Sequence, residues 1–123
     1  MSDTFLVMAG GAIGAASRFH IGRLIGPFTG SGWPTATLAV NLVGGLAMGL
    51  LAGAMLRGGM ADGWRLFVGV GLLGGFTTFS AFSMEMVQLL QDGRWVDGVS
   101  YAVVSVIGSM ILFAAGLWVV RAL

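Results

Sequence analysis

A chain of 123 residues that is 57% hydrophobic and 9% charged cannot cover itself with a water-facing surface, since a soluble domain carries about 25% charged residues. Its solvent is lipid. Six arginines, no lysine, five acids and a formal net charge of +1 leave no basic surface for nucleic acid, and without cysteine there are no disulfides or thiolate metal sites.

A membrane helix needs about 20 mostly apolar residues, and four segments meet that length. The first runs from about Thr4 to Leu24. Asp3, rather than a basic stretch, precedes it, and it is too long for the apolar region of a signal peptide, so it reads as a retained span. Gly10 and Gly14, four residues apart, allow close backbone approach to a neighbouring helix. Arg18 and Arg23 lie late in this span, where a long side chain can snorkel to the interface. His20 reads as interfacial, because one histidine without a second ligand makes no metal site.

The second span runs from about Trp33 to Leu56, with Pro34 in its first turn. Gly45, Gly49 and Gly53 repeat the small-residue spacing. Asn41 is a costly residue in hydrocarbon. It marks either a pathway or a hydrogen bond between helices, and its amide offers two donors to an anion without adding charge.

The third span runs from about Trp64 to Leu90 and contains Gly74-Gly75-Phe76-Thr77-Thr78-Phe79-Ser80-Ala81-Phe82. A glycine pair, hydroxyl residues and phenylalanines at every third position predict a helix broken at membrane depth. Non-helical backbone survives there only inside protein or against a wet cavity, and broken helices expose carbonyls that can hold a small cation. Phe76, Phe79 and Phe82 form a stripe whose ring edges are weakly positive. Such stripes usually serve packing, and the hydroxyls of Thr77, Thr78 and Ser80 weigh toward a second use. Glu85, one turn beyond Phe82, is wetted in a vestibule or paired with an arginine.

The fourth span runs from about Trp95 to Val120. Tyr101, Ser105 and Ser109 share one face at i, i+4, i+8. They make a hydroxyl track, or else the serines bond back to their own backbone. Trp33, Trp64, Trp95 and Trp118 fall near span ends, where an interfacial aromatic belt places them.

With four spans both termini share a side. Arg18, Arg23 and Arg94 then belong to one membrane face, and Arg57, Arg65 and Arg121 to the other. Arginine bias sets orientation, and here it cancels. This predicts insertion both ways and pairing of inverted copies, unless positional weighting selects one orientation. The fold class is all-α: one four-helix membrane domain over 1–123, broken in its third helix, forming an antiparallel dual-topology homodimer. Nothing marks an enzyme, as there is no nucleophile–base pair and no carboxylate cluster. Gly69-Val70-Gly71-Leu72-Leu73-Gly74 matches a dinucleotide fingerprint only formally, because it lies inside an apolar span.

Three stretches resemble the CrcB, or Fluc, family of fluoride channels, in order and across essentially the whole chain. They are Gly10-Gly11-Ala12-Ile13-Gly14-Ala15-Ala16-Ser17-Arg18-Phe19, Thr37-Leu38-Ala39-Val40-Asn41 with Gly44 and Gly49, and Gly74 through Phe82. Phe19 stands where the family commonly has tyrosine, and Ala81 where it often has threonine. The resemblance implies a bacterial inner-membrane channel for passive fluoride efflux that relieves fluoride toxicity. It implies a homodimer with an inverted copy and two pores at the interface. It implies Phe79 and Phe82 beside the ion, Asn41 donating to it, and Ser80, Tyr101, Ser105 and Ser109 along the path. Arg18 and Glu85 would stand in the vestibule, and the carbonyls of Gly74 and Thr77 would hold a structural sodium ion. The rival reading, a small dual-topology multidrug exporter, needs a carboxylate inside the first span, and none follows Asp3 there.

Overall fold

A computed structural model describes residues 2–26 and 32–123. Residues 1 and 27–31 fall outside that range. The described residues form helices α1 (Ser2–Ile25), α2 (Thr35–Leu56), α3 (62–76), α4 (Phe79–Gln91) and α5 (Trp95–Ala122), with no strand among them. Four segments are long and apolar enough to cross a membrane: Ser2–Ile25, Thr35–Leu56, Asp62–Gln91 and Trp95–Ala122. The ends of these helical segments lie within two residues of the bounds read from the sequence. The third starts two residues early because Asp62 enters its first turn, where an acid complements the helix dipole.

Glycines end the helices where the chain must turn left-handed. Gly93 (φ 74°) follows α4, with its amide on the Leu90 carbonyl at 3.1 Å and that of Arg94 on Leu89 at 2.9 Å. Those two bonds satisfy carbonyls a helix end would otherwise orphan. Gly58 (φ 81°) does the same after α2, bonding Met55 at 3.1 Å.

The helices pack as two parallel pairs. In the first, α1 lies along α3, with Leu6 against Gly63, Gly10 against the Phe67 carbonyl and Gly14 against the Leu72 carbonyl. Residues Arg65–Leu73 of α3 are wound as a π-helix, wider than an α-helix. In the second pair, α2 lies along α5 at a constant numerical offset of 64, starting with Trp33 against Asp97. The series continues through Gly45 against Ser109 and Gly49 against Phe113 to Gly53 against Leu117. The small-residue spacing read from the sequence is therefore the seam of this pair. Apolar side chains such as Val99, Val103, Ile107 and Ile111 face outward, as lipid solvent permits. Trp64, Trp95 and Trp118 are also mostly exposed, near span ends.

Candidate functional site

Between α3 and α4 stand two residues with extended backbone, Thr77 (φ −77°, ψ 157°) and Thr78 (φ −150°, ψ 119°). Their geometry follows from one side chain on α2. The Asn41 Oδ1 accepts from the Thr78 amide at 2.9 Å, and its Nδ2 donates to the Thr78 carbonyl at 3.0 Å. Asn41 thus treats Thr78 as one strand treats its neighbour. The Thr78 hydroxyl then caps α4 by accepting from the Ala81 amide at 3.2 Å. Arg18 reaches over from α1, and its Nε donates to the Gly75 carbonyl at 3.2 Å. A cation at the C-terminal end of α3 suits that end's negative dipole. Gly44 is required beneath this site, because a Cβ there would strike the Thr77 methyl.

This arrangement relieves several carbonyls of their helical amides, those of Gly74 and Thr77 among them. In an unbroken α-helix the Thr78 amide would serve Gly74 and the Ala81 amide would serve Thr77. Here the first is spent on Asn41 and the second on the Thr78 hydroxyl. Gly74 itself remains helical; the extended residues lie three and four positions beyond it.

On the other side of Asn41 a groove of about 550 Å³ runs between α2, α4 and α5. Asn41, Thr77, Thr78, Ser105 and Ser109 supply its polar wall, and Phe79, Phe82 and Phe113 its aromatic wall. Phe79 is 76% exposed and stacks tilted on Phe82, with ring centroids 5.4 Å apart. Phe82 lies 5.3 Å from Tyr101, which in turn meets Trp33 edge-on at 6.1 Å. Tyr101 is fully buried and donates its hydroxyl to Glu85 Oε2 at 3.0 Å; Thr37 donates to Oε1 at 2.7 Å. The Ser109 hydroxyl donates to the Asn41 carbonyl at 3.4 Å. The Ser105 hydroxyl is buried with no hydrogen-bond partner among the described residues.

Seven of the polar and aromatic residues singled out in the sequence therefore share one groove: Asn41, Thr77, Thr78, Phe79, Phe82, Ser105 and Ser109. Tyr101 and Glu85 form a cluster behind Phe82. Glu85 is held by two hydroxyls rather than by an arginine. Ser80 lies outside the groove lining; it is exposed in the first turn of α4, 3.2 Å from the Thr78 hydroxyl. Arg18 lines a separate cavity of about 80 Å³ with Thr37, Thr78 and Ala81. Phe76 leaves the expected stripe: it is buried, and the extended pair separates it from Phe79. Sequence reasoning passed over Thr37 and Trp33. Thr37 lies four residues before Asn41, and Trp33 four before Thr37, so the i, i+4 spacing already seen on α5 was the available signal.

Comparison with known proteins places this geometry in context. The family described as "CrcB-like protein, Camphor Resistance (CrcB)" matches residues 5–117. A protein of Sphingopyxis alaskensis named "Fluoride-specific ion channel FluC" is 48% identical over 124 residues, covering 100% of this chain and 98% of its own. Proteins of the same name from Caulobacter sp. (strain K31) and Mesorhizobium japonicum are 45% and 43% identical, covering 98% and 100% of this chain and 96% and 99% of their own. On that evidence of length, order and identity, the chain belongs to the CrcB-like family.

Proposed function

We propose that this protein is a fluoride-selective channel, a passive conduit and not an enzyme, in a bacterial inner membrane. The observation that carries the reading is the groove itself, whose polar wall holds hydroxyls and one amide and whose other wall holds phenylalanines, with no charged side chain lining it. Fluoride is small and strongly hydrated. A pore must replace its water with donors, yet release the ion again. The second Nδ2 hydrogen of Asn41 and the Ser105 hydroxyl are the donors this chain offers, and ring edges of Phe79 and Phe82 add weak attraction. None of these carries a trapping charge. Hydrogen fluoride crosses membranes neutral and ionises inside, so a passive channel driven by the membrane potential empties the cell of fluoride.

The groove is open on one side, and a second, inverted copy is the wall we propose for it. The balanced arginines of the two faces support insertion in both orientations. In this reading Thr77 and Thr78 interrupt the third span within the membrane. The carbonyls of Gly74 and Thr77, relieved of their helical amides, are chemically suited to a hard cation such as sodium. Two oxygens from each of two copies would hold it and tie the copies together. Among the described residues no cluster of acids or histidines offers an alternative cation site.

Fluoride-electrode efflux from proteoliposomes, with chloride as control, tests the function. Well-folded protein that moves no fluoride would overturn it. Phe82→Ile is expected to slow efflux about tenfold, which corresponds to ~1.4 kcal/mol of lost ring contact, while leaving assembly intact; unchanged efflux would reject the aromatic wall. Ser105→Ala gives a second check. Leaving a buried hydroxyl unpaired costs about 1–3 kcal/mol, so the alanine variant should unfold at higher temperature in detergent yet conduct less. A fall in stability would mean that the hydroxyl has a structural partner instead.

A further inference from the structure

The parallel α2–α5 pair is built like a ladder, and its outermost rung differs from the rest. The inner rungs, Thr37 with Tyr101, Asn41 with Ser105 and Gly45 with Ser109, are uncharged. The outermost, Trp33 with Asp97, carries a carboxylate. There is a structural reason for an acid there. Both helices begin at this end, so two positive dipole ends lie side by side, and Asp97 sits in the first turn of α5 against Trp33, two residues before α2.

An acid at this position is nonetheless adverse to an anion path. Trp33 meets Tyr101, Tyr101 meets Phe82, and Phe82 lines the groove, so the rung stands at the outer end of the same file of side chains. The Asp97 and Arg94 side chains are 39% and 34% exposed, at the water-facing edge. Glu85, one rung inward, is bonded by two hydroxyls and by no arginine among the described residues. An uncancelled carboxylate at Asp97 would add a negative field at the mouth.

Arg94 prevents this. Its Nε donates to Asp97 Oδ2 at 2.9 Å, its Nη1 donates to the Gly32 carbonyl at 2.7 Å, and the indole of Trp33 occupies Asp97 Oδ1 at 3.1 Å. We propose that Arg94 keeps Asp97 electrically neutralised at the mouth of the fluoride path, so that this pair sets how readily the anion approaches the groove. The proposal rests on the channel reading above. It assigns Arg94 a role in anion access that is separate from holding the loop before α2.

The test is initial fluoride efflux from proteoliposomes at low and high ionic strength for four proteins: wild type, Arg94→Gln, Asp97→Asn and the double variant. Arg94→Gln should slow efflux about threefold at low salt, and the deficit should shrink at high salt, because field effects fade as the screening length falls from about 30 to about 3 Å. Asp97→Asn should equal or exceed wild type, and the double variant should return to the wild-type rate. Arg94→Lys, which keeps the charge, should behave as wild type and guards against a folding artefact. A double variant as slow as Arg94→Gln, or a deficit indifferent to salt, would show that Arg94 acts through the Gly32 contact and overturn the proposal. Wild-type protein without efflux would instead remove the channel reading on which it stands.

Discussion

Asn41→Ala should abolish fluoride efflux and loosen the third span together. One amide makes both bonds to the Thr78 backbone, at 2.9 and 3.0 Å, and so replaces the helical hydrogen bonds this segment lacks. Alanine leaves an amide and a carbonyl unpaired within the membrane, at about 1–3 kcal/mol each. The segment can recover them by closing into a continuous helix or by drawing in water. Closing would return the Thr78 amide to Gly74 and swing Phe79 away from the groove. Either outcome removes the donor and misplaces the aromatic wall. Hydrogen exchange at Thr78 and Ala81, thermal unfolding in detergent and liposome efflux should all change. Asn41→Asp separates the two roles: its carboxylate still accepts from the Thr78 amide but adds a charge to the groove. It should keep more stability than alanine while conducting no better. An alanine variant with native exchange and native efflux would show that Asn41 holds nothing in place.

The contrast between these residues and their neighbours shows what could be read in advance. Four spans were legible because lipid demands length and apolarity, and both are written locally. The helix contacts were legible in Gly10, Gly14, Gly45, Gly49 and Gly53, because only a missing side chain permits such approach. The extended residues were harder to place. The motif spreads the expected break over Gly74 to Phe82, whereas the extended conformation is confined to Thr77 and Thr78. Its cause is Asn41, 37 residues earlier in the chain, and no local pattern announces a contact of that range.

The same limit explains the hydroxyl residues. Tyr101, Ser105 and Ser109 were recognisable as one face of a helix because four-residue spacing is local. The facing row of Trp33, Thr37, Asn41 and Gly45 shares that spacing, but the offset of 64 that sets it against Asp97, Tyr101, Ser105 and Ser109 exists only once α2 and α5 lie parallel. The family resemblance is what sets Ser80 along the path. The turn that opens α4 instead directs it to the Thr78 hydroxyl and away from the groove lining. Phe76 was joined to Phe79 and Phe82 by assuming an unbroken helical period, which two extended residues interrupt.

Gly49→Ala is expected to cost the molecule both stability and function, although it adds a single methyl group far from the groove's polar end. A Cβ at this position would strike the Phe113 carbonyl oxygen and lie 2.9 Å from its Cα. These are backbone atoms, so α2 and α5 must move apart along their seam. Forcing extra volume into a packed contact costs about 1–3 kcal/mol. The displacement propagates two turns along the same pair to the bond between Ser109 and the Asn41 carbonyl, which at 3.4 Å has little length to spare. Efflux should therefore fall with the unfolding temperature. Gly22→Ala is the control: nothing lies within 4 Å of a Cβ there, and restricting the unfolded chain should stabilise by about 0.4–1 kcal/mol. Gly116 faces Gly49 across the seam, where a Cβ would lie 2.6 Å from the Leu46 carbonyl oxygen and 2.8 Å from the Leu50 amide nitrogen. If both substitutions act by prising the same two helices apart, the second should cost less once the first has done so. Additive losses in Gly49→Ala/Gly116→Ala would mean two independent defects, and a Gly49→Ala protein as stable as wild type would rule out the close α2–α5 seam.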